Sequence, residues 1–262
     1  MLPTEFDVTD KVVLITGAGR GIGKGIAEVL AEAGADIALN ALTSRHVEDT
    51  ARRIGDASGR RVLPLVADVT RSEQVQEVVD TVIKQFGRID VLINNLGDAI
   101  FKPLVKLPDK QGETISDGDL KSVVDINLTA ALLCTRAVGP HLLERRGGKV
   151  INISSYTALR GGREAVLYSM AKAAVVGFTR TQALEWAPYN VRVNAIAPGL
   201  FPDPVSHGER GIRALEEYAA RKAPLGRTGR LREVGLLALY LASPASDYMT
   251  GQTLYLDGGM TL

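Results

Sequence analysis

The chain has 262 residues, 45% hydrophobic and 23% charged, with a formal net charge of +1. That length fits one large α/β domain or two small ones, the composition fills a normal globular core and excludes a disordered chain, and the strand–helix alternation along the chain points to a single domain of residues 1–262. Near-neutral charge argues against a nucleic-acid surface or a polybasic membrane patch, and the single cysteine, Cys134, excludes an internal disulfide.

Met1–Asp10 has no charged-then-apolar signal pattern. No apolar run reads as long enough to span a bilayer, and the final Gly-Met-Thr-Leu carries no lipidation or peroxisomal address. The cytoplasm is the default expectation. Val12-Val13-Leu14-Ile15 is apolar on both faces, as a central parallel strand must be. It runs into Thr16-Gly17-Ala18-Gly19-Arg20-Gly21-Ile22-Gly23, and good helix formers follow from Lys24. A strand, a glycine turn and a helix N-terminus make a pyrophosphate site, because unpaired N–H groups and the positive dipole end face the ligand.

Gly34 is a natural helix terminator. Ile37–Asn40 reads as a second strand, Ser44–Ile54 as a helix and Val62–Ala67 as a third strand whose Pro64 favours a sheet edge. Thr70-Arg71-Ser72-Glu73 has the spacing of a capping box opening a helix to Phe86. Val91–Ile93 is a fourth strand, followed by Asn94-Asn95-Leu96-Gly97. Leu120–Leu143 has helical period, Val150–Ile153 is a fifth strand, and Leu167–Trp186 is a long helix ending before Pro188. Val191–Ile196 is a sixth strand, helices lie near Arg213–Lys222 and Glu233–Leu241, and Thr253–Leu256 is the last strand. Alternation of this kind predicts one doubly wound parallel sheet. Two turn-rich stretches, Lys106–Asp119 and Leu200–Arg210, follow strand ends on the ligand-binding side and are candidate pocket walls.

Tyr168 and Lys172 are four residues apart on one helix face. An ammonium beside a phenol favours the phenolate and suits the pair to proton exchange; taken alone, the pair also fits a solvated amphipathic face. Ser155, just past the fifth strand, sits at the same sheet edge as the glycine turn. Asn127 is locally unfavourable in mid-helix, which points to a buried polar task or to a bond with neighbouring backbone.

Together these motifs resemble the classical short-chain dehydrogenase/reductases from about Lys11 to Gly259. The matching residues are Thr16-Gly17, Gly21 and Gly23, Asp68-Val69, Asn94-Asn95 with Gly97, Asn127, Ser155, Tyr168 with Lys172, Pro198-Gly199, and Gly251-Gln252 with Asp257-Gly258-Gly259. Ser155 rather than Ser154 stands at the family's interval before Tyr168. The resemblance implies a Rossmann-like sheet of about seven strands and hydride transfer between a nicotinamide and a ketone or secondary alcohol. Tyr168 would be the acid/base, Lys172 its partner and the holder of the nicotinamide ribose. Ser155 would position the substrate oxygen, and Asn127 would hold a relay water. Gly17, Arg20, Gly21, Ile22, Gly23, Asp68, Val69, Asn95, Gly97, Pro198 and Gly199 would line the cofactor. Family members are commonly tetramers through helices equivalent to Leu120–Leu143 and Leu167–Trp186.

Four departures stand out. Leu96 replaces the usual alanine, and Asp98 follows at the pocket lip. Leu200-Phe201-Pro202-Asp203 lacks the family's threonine grip on the carboxamide. Lys106–Asp119 is longer than the family's pattern by roughly eight residues, and it is expected at the surface near the pocket or a subunit contact. At the end of the second strand, Ala41 carries no charge to repel a 2′-phosphate, and Arg20 and Arg45 are available to bind one, which favours NADP over NAD. Candidate substrate walls are Asp98, Thr157, Leu159, Val166, Leu200, Phe201 and the loop to His207. A 3-oxoacyl-carrier reductase, aided by Arg160, Arg163 and Arg210, and a non-catalytic nucleotide-binding scaffold are the rival readings. His46, His141 and His207 are scattered, so no metal site is expected.

Overall fold

The computed structural model describes residues 3–109 and 111–262. Seven parallel strands form one sheet: β1 (Val12–Ile15), β2 (Asp36–Ala41), β3 (Val62–Val66), β4 (Val91–Asn94), β5 (Gly148–Ile153), β6 (Val191–Pro198) and β7 (Thr253–Leu256). Their order is β3-β2-β1-β4-β5-β6-β7. The chain winds outward from β1 in one direction, then crosses back to β4 and winds the other way. The β1/β4 junction is therefore the switch point, where the strand ends leave a crevice. Pro64 lies in β3 at the sheet edge, as its missing N–H requires.

Side-chain alternation builds two cores. Val13, Ile15, Ile37, Leu39 and Ile93 face helices α1 (Gly21–Glu32), α2 (Ser44–Ser58) and α9 (Leu231–Ala242). Val12, Leu14, Ala38, Leu92 and Val150 face α3 (Ser72–Phe86), α5 (Ala130–Glu144) and α7 (Val166–Trp186). Each fully buried Leu or Ile contributes roughly 1.5–3 kcal/mol, so a strand apolar on both faces is strongly fixed in the middle of the sheet. Cys134 is one of these packing residues, and burial pushes its thiol up to about 12.

The remaining helices are α4 (Asp117–Val124), the short α6 (Thr157–Arg160) and α8 (Pro204–Lys222). Four expectations need correction. The Thr70 box is not formed: the hydroxyl and N–H of Thr70 bond the Asp68 carboxylate, and Arg71 is the N-cap of α3 without a side-chain bond. Within the stretch read as turn-rich, Ser116 and Asp119 form a reciprocal capping box that opens α4. Most of 200–210 is helix, because Asp203 caps α8 and Pro204 sits in its first turn, where a missing N–H costs nothing; Gly208 then breaks it at φ 59°. Finally, Asp117–Glu144 is long and apolar enough by length and composition to cross a membrane. Here Ala130, Cys134, Val138 and Leu142 of that helix pack into the sheet's core.

Between α4 and α5 the helix contains a π-turn, Asp125–Thr129, in which Ala130 N–H reaches back five residues to Asp125 O. Such bulges cluster at functional sites, and this one centres on Asn127.

Helices α1 and α9 approach through glycines. A Cβ on Gly235 would lie 2.6 Å from Val29 Cγ2 and 2.7 Å from the Gly25 carbonyl oxygen. Gly→Ala in a helix ordinarily stabilises by roughly 0.5–1 kcal/mol. Here the contact reverses the sign, and Gly235→Ala lowers stability by about 1–3 kcal/mol, read from the denaturant midpoint.

Candidate active site

The glycine turn joins β1 to α1 at the switch point. Gly17 and Gly21 have φ of 61° and 59°, which only glycine adopts at no steric cost. A Cβ on Gly23 would lie 2.5 Å from Asn95 Nδ2, and one on Gly17 would lie 3.0 Å from Leu96 Cα. Asn95 fastens the turn from β4: its Nδ2 donates to the carbonyls of Thr16 and Gly17, both at 2.9 Å. Thr16 Oγ1 accepts from the N–H groups of Asn95 and Leu96. Arg20, the N-cap of α1, makes no capping bond, so the first N–H groups of α1 keep their donor capacity. This cradle fits the pyrophosphate of a dinucleotide.

The catalytic candidates converge on the neighbouring strand ends. Lys172, 2% exposed, donates from Nζ to Ile153 O at 2.9 Å. Asn127 Nδ2 donates to Asp98 O at 2.7 Å and to Val123 O at 2.9 Å, while its buried Oδ1 has no partner. Gly97 separates the two: a Cβ there would lie 2.8 Å from both Asn127 Oδ1 and Lys172 Nζ. Ser155 Oγ accepts from Thr157 N–H at 3.2 Å and Thr157 Oγ1 at 3.0 Å. The Tyr168 phenol lies beside it, and the Ser155 hydroxyl favours its ionised form. Ser154 is engaged elsewhere, its hydroxyl donating to Lys172 O at 2.8 Å, so Ser155 is the serine beside Tyr168.

Burial pushes Lys172 down to about 8, because a desolvated ammonium is costly. Burial raises Tyr168 above the ordinary phenol value, with Tyr156 and Asp98 adding to it and the Ser155 bond opposing it. The expected lowering of Tyr168 by Lys172 is therefore corrected. Nζ lies 5.7 Å from the ring centroid, and desolvation dominates.

Pro198-Gly199 is pinched between strand ends: Tyr156 N–H donates to Pro198 O at 3.0 Å and Gly199 N–H to Leu256 O at 2.9 Å. Asp68 follows β3, and its carboxyl is held below the usual range, chiefly by the Thr70 hydroxyl. Val69 is buried. Ile22 opens α1 beside Gly21.

A family model described as enoyl-(acyl carrier protein) reductase matches residues 17–261. The 3-oxoacyl-[acyl-carrier-protein] reductase of Thermotoga maritima is 36% identical over 252 residues, 96% of this chain and 98% of that protein. The chain belongs to the short-chain dehydrogenase/reductases. It is an NAD(P)-dependent oxidoreductase of that family. The NAD-dependent glycerol dehydrogenase of Listeria innocua is 34% identical, covering 98% of this chain and 96% of that one. Among solved structures, a gluconate 5-dehydrogenase from Burkholderia cenocepacia in complex with NADP and tartrate matches with TM-score 0.89 at 33% identity, covering 98% of each chain. A short-chain type dehydrogenase/reductase from Mycobacterium marinum matches with TM-score 0.86 at 34% identity, covering 98% and 97%.

Within this short-chain dehydrogenase/reductase, several expected residues stand apart from the catalytic group. Arg20 is not free: its Nη1 lies 2.5 Å from Asp203 Oδ2. Arg45 is exposed in the first turn of α2. Phe201 packs against the core, its ring filling the space a Gly229 Cβ would need, and with Leu200 it lines a small cavity of about 110 Å³. Thr157, by contrast, is buried and bonds Ser155 directly, while Leu159 and Val166 are exposed. His207 is in helix α8, its Nδ1 accepting from Asp203 N–H. Arg160 donates to Met260 O. The described part of 106–119 is mostly exposed.

Sequence reading missed a buried polar chain under the site. Asn94 Nδ2 donates to Asn152 Oδ1 and Thr135 Oγ1, and Asn152 Nδ2 donates to Thr179 Oγ1. It ties β4, β5, α5 and α7 in register. The signal was there: asparagines sit at or near the ends of two neighbouring apolar strands.

Between pH about 8 and 10.5 the unfolded chain holds a proton on Lys172 that the native state has released. Stability of the wild type relative to Lys172→Met therefore rises with pH across that window, by about 3 kcal/mol. Urea denaturation of both proteins at a series of pH values measures it; a constant difference contradicts the buried ammonium.

Proposed function

We propose that the protein interconverts a ketone and a secondary alcohol with Tyr168 as the acid/base, Ser155 and Lys172 beside it and Asn127 behind. The carrying observation is the convergence of these four side chains at the ends of β4 and β5, next to the uncapped α1 N-terminus. The bound nicotinamide supplies or accepts the hydride. Tyr168 delivers its proton to the substrate oxygen in reduction and takes it back in oxidation. Ser155 accepts two bonds from Thr157 and keeps its own proton to donate to that oxygen. Lys172 would hold the nicotinamide ribose with the donors that Ile153 leaves free. Asn127 Oδ1 and the unused Lys172 donors face one another past Gly97, a pairing that suits a water relaying protons to Lys172.

NADP is the preferred cofactor in this reading. β2 ends at Ala41 without a carboxylate, and the following α2 begins at an N-cap, Thr43, with no side-chain bond, beside exposed Arg45. Gly17, Gly21, Ile22, Gly23, Asn95, Asp68, Val69, Pro198 and Gly199 line its path. Oligomerisation uses the faces of α5 and α7, where an apolar groove of about 430 Å³ is lined by Leu132, Leu133, Phe178 and Trp186. In this reading the protein is a cytoplasmic homotetramer acting on a small ketone or alcohol. The 3-oxoacyl-carrier reductases among the relatives make a carrier-bound 3-oxoacyl thioester the second substrate to try.

Tyr168→Phe abolishes turnover, a loss of about a hundredfold or more, while isothermal calorimetry finds cofactor affinity unchanged. With Tyr168 raised, the phenol is protonated at neutral pH. kcat/KM for oxidation accordingly rises with pH through the alkaline range, and kcat/KM for reduction falls there. Leu132→Asp shifts the sedimentation coefficient to that of a smaller species.

A further inference from the structure

Asp203 is 7% exposed and belongs to none of the catalytic roles above. Its Oδ1 accepts from Val205 N–H, capping α8. Its Oδ2 accepts from Ser206 Oγ and pairs with Arg20 Nη1, both at 2.5 Å. The Arg20 side chain is 48% exposed and springs from the glycine turn itself. A Cβ on Gly21 would lie 3.5 Å from Asp203 Oδ2. A buried carboxylate thus rests in van der Waals reach of the first residue of α1, at the helix end whose N–H groups face an anion.

Resting on the dinucleotide reading above, we propose that Asp203 sets the affinity for the cofactor by opposing its binding. Two negative groups at one helix N-terminus repel, and the desolvated setting sharpens that repulsion. Arg20 now neutralises Asp203. The same guanidinium stands in the turn itself, within the sequence of a dinucleotide phosphate cradle, and one fork serves one anion fully at a time. Asp203 therefore competes with the cofactor twice, by its own charge and by holding Arg20. Through its cap on α8, the competition also reaches the segment that ends at the Gly208 break.

The test is calorimetric binding of NADPH and NADH to the wild type, Asp203→Asn and Arg20→Gln, at low and high salt. Asparagine keeps the Oδ1 cap and removes only the charge, and a matching thermal midpoint verifies folding. Asp203→Ser, also a capping residue, replaces it should the asparagine variant unfold. The expected result is binding about tenfold tighter in Asp203→Asn at low salt, with the gain shrinking at high salt, and weaker binding in Arg20→Gln. A gain larger for NADPH places Arg20 on the 2′-phosphate; an equal gain places it on the pyrophosphate; either supports the proposal. Folded Asp203→Asn and Asp203→Ser proteins that bind no tighter than a wild type that does bind overturn it alone. A wild type that binds neither dinucleotide overturns the cofactor reading and the proposal together.

Discussion

Lys172 places an ammonium where water hardly reaches, and the surrounding elements are arranged to tolerate it. The Ile153 carbonyl accepts a hydrogen bond from it, and Ser154, just past β5, donates to its backbone carbonyl. Gly97 yields the volume in front of it, since any Cβ there would strike both Nζ and Asn127 Oδ1. Burial in turn brings the group to about 8, within reach of physiological proton exchange. Asn127 faces it from a π-turn in the helix, with Asn127 Nδ2 bonded to the Val123 carbonyl in the preceding turn.

The sheet explains why these groups meet. Strands apolar on both faces fix β1, β4 and β5 side by side, and the reversal at β1/β4 opens the crevice above them. Under the crevice, the Asn94–Asn152 bond and its threonine partners satisfy polar groups that would otherwise be buried unpaired. The same bonds lock α5 and α7 to the strands that carry the candidate site. The site inherits its geometry from the core rather than from loops.

Much of this was readable in the residues. Gly17, Gly21 and Gly23 announced the turn because φ and space there suit no other residue. Pro64 announced an edge because a proline cannot donate to a second neighbour. The interval to Tyr168 selected Ser155, and Ser154 is seen to be bonded away. What stayed hidden depended on distant partners. Thr70 had the right spacing for a cap, yet the Asp68 carboxylate captures its hydroxyl. The direction of Tyr168's shift needed its burial, which no local pattern encodes. Arg20 looked free because its partner, Asp203, is 183 residues away. The α8 start at Pro204 was obscured by Gly208, whose break makes a helix look like a loop.

The most direct test of the account is a calorimetric titration of the purified protein with NADPH and with NADH. One dinucleotide per chain, with NADPH the tighter, is the result required by the glycine cradle, Ala41 and the open amino end of α2. Absence of binding by both would contradict the central claim that this switch point is a working nicotinamide site.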